Sequence, residues 1–267
     1  MNKIIFPMKV HAVKLEYRRQ KLEQMPHGHF NVRKGKANVV VTYDPDNPKL
    51  TPKKPRTLYV TSKLGKIYSE KINEYLNLKA EYDALLNDWN SRYRLAPPRI
   101  VFPIKQYADP HFMNNDYYNR QPERCGKYIP DNPTVSEHGD LKSKNELMGA
   151  DLLKEMGIPF KYETEVFFTE TEETVNPDYL VNFFEIDRCS YLEILGMNDK
   201  PDYSARTASK IFVFSKEKYR PGWEVIYVLL YDKSNFDKDY FVSQVLAAFN
   251  DMIPDSALIW DAESEAV

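Results

Sequence analysis

The amino-acid sequence predicts an α/β protein in which a mixed central sheet is flanked by helices and preceded by a basic β lobe. The composition, with 42% hydrophobic and 28% charged residues in a chain of 267, is typical of a globular protein. The first 65 residues alternate short β-rich runs with turns. From residue 134 onward, helices and strands are expected in the order αβββαβα, which indicates a mixed sheet covered by helices on its faces.

The N-terminal β lobe carries a net positive charge, and the rest of the chain is acidic. Residues 1–66 contain 15 Lys or Arg and four Asp or Glu, a net charge of +11, whereas the remainder of the chain carries −13. A basic lobe attracts polyanions such as nucleic acid through Coulomb attraction and counterion release. The alternative is that these lysines only keep an exposed, strand-rich segment soluble, and charge alone does not decide between the two. The side chains that we assign to phosphate contacts lie in two basic loops: Lys53, Lys54 and Arg56 in one, Arg18 and Arg19 in the other.

A long helical segment follows the lobe. Between residues 66 and 93, apolar side chains recur at helical spacing without proline, which predicts one long helix or two stacked helices. A run of Pro, Asn and aromatic residues in irregular order then predicts a linker. The sequence thus divides into four segments: a basic N-terminal β lobe (1–65), a helical connector with an irregular linker (66–133), a core domain (134–252) and an acidic tail (253–267).

The core domain begins with a helix whose two ends are marked in the sequence. Ser143 can cap its N-terminus, with Glu146 three residues later at the capping-box spacing, and Gly157 is expected to end it. The elements expected after it are three strands, a helix, a strand and a final helix, at residues 162–168, 178–184, 190–195, 203–219, 224–231 and 240–252.

Two acidic residues lie in apolar surroundings on consecutive predicted strands. Asp178 opens the second strand and Glu193 lies within the third. If residues 185–188 form a four-residue hairpin loop, Leu180 faces Glu193, and the two acids become diagonal neighbours on one face, about 7 Å apart. Two carboxylates in such a place require a divalent cation or a lysine between them. A turn residue at Asp178 and an edge-strand charge at Glu193 are the structural alternatives.

A third acid, Glu146, lies on the stripe of the first core helix that should face the sheet, with Gly149, Ala150 and Leu153. The local sequence favours a different explanation, in which Glu146 is the capping-box partner of the N-cap serine. One side chain serves both purposes only if it swings between them. We interpret His138, in the segment before this helix, as a loop residue rather than a base.

Several short segments of the core domain together resemble the PD-(D/E)xK, or restriction-endonuclease-like, nuclease superfamily, and are most similar to uncharacterised bacterial and phage-type members. The likeness extends over about residues 134–235. The segments are KSKNE at 142–146, LLKEMGIPFKYE at 152–163, NPDY at 176–179, YLEILGM at 191–197, and Tyr203 with Lys210. The resemblance implies an αβββαβ core, a Mg²⁺ or Mn²⁺ cofactor and the activity of a metal-dependent endodeoxyribonuclease, which hydrolyses phosphodiester bonds in DNA.

The resemblance also implies roles for individual residues. Asp178 and Glu193 correspond to metal-binding acids, and Glu146 corresponds to an accessory acid that orients an attacking water at the metal. One position departs from the family pattern, because Leu195 stands where a lysine is expected two residues after the glutamate. We propose that Lys210, on the following helix, supplies the missing ammonium group. An exposed helix lysine is the alternative explanation for Lys210.

The segment around Glu146 adds two further candidate DNA contacts, Lys142 and Lys144. DNA is the expected partner, and oligomerisation or contacts with phage or mobile-element proteins are compatible with the sequence. No stretch approaches the roughly 20 apolar residues of a membrane span, so we expect a cytoplasmic protein, in the host cell if phage-encoded, or a virion component. The competing function, favoured by the absent lysine, is a non-catalytic nucleic-acid-binding or virion-associated structural protein that retains the nuclease fold.

Overall fold

The structure, a computed structural model, describes residues 4–104, 111–126, 130, 133–196, 201–230 and 236–260. The α-helices of this part of the chain are α1 (Met8–Glu23), α2 (Lys63–Arg92), α3 (Asn115–Arg120), α4 (Lys144–Glu155), α5 (Pro201–Lys216) and α6 (Lys238–Asp251). The strands are β1 (His27–Arg33), β2 (Lys36–Tyr43), β3 (Arg56–Tyr59), β4 (Arg99–Ile100), β5 (Thr134–Ser136), β6 (Gly139–Leu141), β7 (Phe160–Tyr162), β8 (Val166–Phe168), β9 (Glu173–Val175), β10 (Tyr179–Phe183), β11 (Arg188–Leu195), β12 (Val225–Leu229) and β13 (Leu258–Ile259).

The described residues form two compact units. The core unit comprises those of Met1–Val10 and Val101–Ala257, and the lobe unit comprises those of His11–Ile100 and Leu258–Val267. The long helix α2 therefore belongs with the β lobe, where it packs on β1, β2 and β3. The predicted boundary between lobe and connector at residue 65 does not separate these units.

The core unit is built on a four-stranded sheet in the order β12-β11-β10-β7. Strands β7, β10 and β11 are antiparallel, and β12 runs parallel to β11 after the crossover helix α5. On one face, Val213 and Phe214 of α5 pack with Leu180 and Tyr191 of the sheet. On the other face, Gly149 of α4 lies close to β11. The prediction of an α/β protein with a mixed sheet flanked by helices is confirmed at this level.

Helix α4 is held at both ends as the sequence predicts. The Ser143 hydroxyl accepts a hydrogen bond from the backbone N–H of Glu146 at 3.2 Å, which satisfies one of the free N–H groups of the first turn. Gly157 follows the helix with φ of 63°, and the N–H of Ile158 donates to the Leu153 carbonyl at 2.9 Å. This is the hydrogen bond of a Schellman motif. The motif requires a left-handed backbone at the residue after the helix, and glycine adopts that conformation without steric cost.

The register of the β10–β11 hairpin differs from the prediction by two residues. Leu180 pairs with Tyr191 and not with Glu193. The four-residue turn spans 184–187, one residue earlier than expected, because a short 3-10 helix fills it and Asp187 closes it in the left-handed conformation with φ of 55°. A shift of two preserves the side-chain face, because side chains alternate with a period of two along a strand.

Two other expectations about strands and loops are wrong. The single strand predicted at 162–168 is two strands, because Glu163 adopts φ of 47° and breaks the extended chain after β7. The segment after it, β8, pairs with β9 in a separate hairpin. Residues 1–65 are not only strands and turns, because they begin with the 16-residue helix α1.

The lobe unit contains the antiparallel sheet β1-β2-β3. One of its faces packs on α2, with Val39, Val41 and Ile72 fully buried. In the part of the chain that the structure covers, no helix combines the length and the hydropathy that a membrane crossing requires. Part of the predicted acidic tail is ordered, since β13 pairs with β4, whereas residues 261–267 lie outside the described residues.

Candidate functional site

Asp178 is tied by a hydrogen bond to the backbone of the strand that carries Glu193. Asp178 immediately precedes β10, and its Oδ2 accepts a bond from the backbone N–H of Ile194 in β11 at 2.7 Å. The pairing of Tyr179 with Leu192, continued by one residue, sets Asp178 opposite Glu193. The two acids are therefore cross-strand neighbours, and not the diagonal neighbours that we predicted. Directly opposed side chains approach more closely than diagonal ones.

The Glu193 carboxylate is completely buried and is only partly satisfied. Its Oε2 accepts a hydrogen bond from Lys210 Nζ at 2.6 Å, while Oε1 is buried and has no hydrogen-bond partner among the described residues. Lys210 comes from α5, the helix that packs on this face of the sheet. Its side chain remains 37% exposed, so the ammonium group bridges the buried acid and the surface. An unsatisfied buried carboxylate oxygen costs free energy unless a ligand occupies it.

The electrostatics of the site show the repulsion between its acids. Burial and the neighbouring charge of Asp178 raise the pKa of Glu193 to about 8, although Lys210 opposes the shift. Burial also raises the pKa of Asp178 above its usual value, against the lowering effects of Lys210 and of the Ile194 N–H. Burial lowers the pKa of Lys210, but the surrounding carboxylates outweigh it and the pKa ends above its ordinary value. The ammonium therefore stays charged while the acids compete for protons.

The Glu146 carboxylate is held at the N-terminus of its helix by three hydrogen bonds. Its Oε2 accepts hydrogen bonds from the Tyr162 hydroxyl at 2.6 Å and from the backbone N–H of Lys142 at 2.9 Å. Its Oε1 accepts a bond from the Ser143 hydroxyl at 3.0 Å. Burial and the charge of Asp178 raise the pKa of Glu146, so the two carboxylates are close enough to interact. The capping role of Glu146 is thus confirmed, and its role beside the other two acids stays a prediction.

Two tyrosines complete the surroundings, and the sequence analysis did not identify either. Tyr162 donates to Glu146, and Tyr227 pairs in register with Glu193 on the parallel strand β12. The Tyr227 hydroxyl is buried and has no hydrogen-bond partner among the described residues, and burial together with the charge of Glu193 raises its pKa. Tyr162 lies in one of the segments that carry the resemblance, but no role was assigned to it, and Tyr227 is placed beside Glu193 only by the strand register.

The chemistry of this site suits a hard divalent cation, because Asp178, Glu193 and Glu146 offer carboxylate oxygens, the ligands that Mg²⁺ and Mn²⁺ prefer. Among the described residues, however, these three acids do not bring three ligand atoms within 4.8 Å of one another. The unsatisfied Glu193 oxygen and the mutual repulsion of the acids are the features that a bound cation would relieve.

The predicted DNA-contacting residues fall into two groups. Lys53 and Lys54 lie in a loop as predicted, whereas Arg56 is the first residue of β3. All three are exposed, as phosphate contacts require. Arg18 and Arg19 do not lie in a loop, because both belong to α1. Arg18 is 8% exposed and donates to Glu81 at 3.0 Å, and Arg19 is paired with Glu16 and Glu23. These ion pairs leave little support for a role of Arg18 and Arg19 in phosphate binding.

The two lysines beside Glu146 also differ in exposure and in ion pairing. Lys144 is exposed at the first position of α4, whereas Lys142 is half-buried and forms an ion pair with Glu163. Lys144 therefore remains the better candidate of the two for a DNA contact.

A second group of metal-ligand residues lies on the surface of the core unit. Glu137, His138 and Asp151 bring one ligand atom each within 4.8 Å of the others. Two of the three are exposed, the imidazole contacts Asp151 at 3.0 Å, and Glu137 is paired with Lys154 at 2.7 Å. Lys154 offsets the charge of Glu137, and all three side chains of this group have polar partners.

The raised pKa of Glu193 predicts how stability depends on pH. A proton held in the folded state up to about pH 8, but lost in the unfolded state near 4.5, makes stability fall as the pH rises through this range. In EDTA, the free energy of unfolding of the wild type should fall between pH 5 and 8 by a few kcal/mol more than that of Glu193→Gln, at about 1.4 kcal/mol per pKa unit. Denaturant titrations at several pH values measure the difference. Parallel pH profiles for the two proteins would contradict the buried acid pair.

Comparisons with protein-family models, with curated proteins and with solved structures gave no match. The function proposed below is therefore inferred from the chemistry of the site.

Proposed function

We propose that this protein is a divalent-metal-dependent nuclease that hydrolyses phosphodiester bonds in DNA. The observation that carries the proposal is the buried Glu193 carboxylate beside Asp178, with one oxygen paired to Lys210 and the other unsatisfied. The core element order α4, β7, β10, β11, α5, β12, with the hairpin β8–β9 inserted, supports it, because it agrees with the αβββαβ arrangement of the nuclease superfamily that the sequence resembles.

In this proposal, Asp178 and Glu193 hold Mg²⁺ or Mn²⁺, and Glu146 assists from α4. A divalent ion held there would lower the pKa of an attacking water and would neutralise charge on the phosphoryl oxygens. Glu146 Oε1 receives a single hydrogen bond from the described residues, so it can accept a second from that water. Its raised pKa makes it a better proton acceptor than an ordinary carboxylate.

Lys210 supplies the positive charge of the proposed reaction. During hydrolysis, the water oxygen would bond to phosphorus and pass a proton to Glu146, while the bond from phosphorus to the leaving sugar oxygen breaks and that oxygen takes a proton from solvent. Negative charge develops on the phosphoryl oxygens. An ammonium that is already fixed near the acids can stabilise this charge without reorganisation. The stem of Lys210 reaches the acids from α5, which supports its substitution for the lysine that Leu195 replaces.

Plasmid DNA tests the proposal. Supercoiled DNA incubated with the full-length protein and Mg²⁺ or Mn²⁺ should become nicked or linear, and EDTA should prevent it. Binding in a gel shift with no cleavage in either metal would instead support a non-catalytic nucleic-acid-binding protein.

The exposed basic loop of the lobe unit gives an independent prediction. Replacing Lys53, Lys54 and Arg56 together by alanine should weaken DNA binding to all sequences alike. Each lost phosphate contact should reduce the slope of log affinity against log salt by about 0.7 to 0.9 units. Binding titrations between 50 and 300 mM salt would measure it, with Lys238→Ala as an exposed control. An unchanged slope would leave these residues with a role in solubility only.

A further inference from the structure

The lobe sheet carries a basic and aromatic patch on the face that α2 does not cover. Directly paired residues of antiparallel strands share a face. Tyr59 pairs with Asn38, which pairs with Asn31, so these three form one row across the sheet. The next row of the same face joins Lys36 and Arg33 at the hairpin end. Val39 and Val41, which pack on α2, alternate along β2 with the residues of the patch and therefore belong to the opposite face of the sheet.

The side chains of this patch are presented to solvent. Tyr59 is 56% exposed, and Asn31, Arg33 and Lys36 are exposed as well. Lys36 Nζ lies 5.5 Å from the centroid of the Tyr59 ring, which orients the ring by a cation–π contact. Asn38, which lies between Asn31 and Tyr59, is buried. Its side-chain amide donates a hydrogen bond to the Lys36 carbonyl at 2.8 Å and so stabilises the backbone of β2. We call the exposed residues Asn31, Arg33, Lys36 and Tyr59 the Tyr59 patch.

The segment that carries the Tyr59 patch has an excess of positive charge, because residues 27–66 contain nine Lys or Arg and two acids, Asp44 and Asp46. Residues 27–43 contain Arg33, Lys34 and Lys36 and no Asp or Glu. Residues 53–66 add five further Lys or Arg, again with no acid. The exposed aromatic ring thus lies in a positively charged surface, which is the combination that attracts a polyanion carrying flat, apolar groups.

We infer that the Tyr59 patch binds single-stranded DNA, with a base stacked on the Tyr59 ring and phosphates paired with Arg33 and Lys36. Stacking requires an unpaired base, because the π faces of a duplex are covered by neighbouring base pairs. The inference rests on the proposed function and names its substrate class, DNA that is single-stranded or has a single-stranded segment. A sheet surface with an aromatic side chain binds such strands without reading a sequence.

Fluorescence anisotropy with a labelled 20-nucleotide oligo(dT) in EDTA tests the inference without any cleavage. The full-length protein should bind the single strand at least about tenfold more tightly than a 20-base-pair duplex. Tyr59→Ala should weaken single-strand binding about tenfold, in line with the loss of one base–aromatic stack, while Tyr59→Phe keeps the ring and should bind like the wild type. Phe167→Ala removes an equally exposed aromatic ring from the core unit and should leave binding unchanged.

Equal affinity for duplex and single strand, or equal affinity of Tyr59→Ala and Tyr59→Phe, would overturn the inference. Its failure is separable from failure of the proposed function. Loss of stacking-dependent binding with metal-dependent cleavage intact counts against the Tyr59 patch alone. Tight, stacking-dependent binding without cleavage counts against the nuclease and leaves the Tyr59 patch standing.

Discussion

Asp178→Asn is expected to lower the rate of Mg²⁺-dependent DNA cleavage by about a thousandfold or more, because it removes one of the two charged metal ligands. The amide oxygen can still accept the hydrogen bond from Ile194, so the local fold should persist. The metal-free variant should be at least as stable as the wild type, because the repulsion with Glu193 is relieved. Cleavage rates on supercoiled plasmid and denaturant unfolding in EDTA measure the two effects.

The matched control for this substitution is Glu173→Gln, which neutralises an exposed acid on β9 of the same unit. Its cleavage rate and stability should stay close to those of the wild type. Full activity in Asp178→Asn, or an equal loss in both variants, would contradict the assignment of the site.

Lys210→Met should reduce the cleavage rate by about a hundredfold or more at saturating metal and DNA, because a fixed positive charge is lost from the transition state. The acidic limb of the pH–rate profile should also move to higher pH, because the ammonium no longer lowers the pKa of Glu193. A residue that only stabilises the fold would not cause this shift. Single-turnover rates between pH 6 and 9 measure both effects.

Two further variants define what Lys210 contributes. Lys210→Arg should restore little activity, because a planar guanidinium does not occupy the space of a compact ammonium. Lys216→Met changes an exposed lysine on the same helix and should behave like the wild type. An unchanged rate and pH profile in Lys210→Met would exclude Lys210 from the reaction.

The parts of the site that follow from short-range information were predictable from the sequence. Ser143 and Gly157 delimit α4 through their own backbone preferences, so the position of Glu146 on its first turn followed directly. Lys210 could be placed beside Glu193 because α5 is the crossover between adjacent parallel strands and must pack on the sheet between them. The assigned catalytic roles remain predictions.

The parts that depend on long-range packing were not predictable. The strand register that pairs Asp178 with Glu193 is set by the turn at 184–187, which contains a 3-10 helix and ends at Asp187 in the left-handed conformation. Nothing in the sequence predicts that conformation at Asp187. Helix α1 lacks an apolar stripe because it is buried on several sides, where His11 and Lys14 are as inaccessible as Val10 and Val13.

The account depends most on one claim, that Asp178 and Glu193 share a single divalent ion. Anomalous diffraction from crystals of the full-length protein soaked in MnCl₂ tests it directly. The account predicts a Mn²⁺ peak between these two carboxylates, bonded to the Glu193 oxygen that Lys210 does not occupy, and its disappearance in Asp178→Asn. The absence of a peak there in the wild type, or a peak confined to Glu137, His138 and Asp151 on the surface, would contradict it.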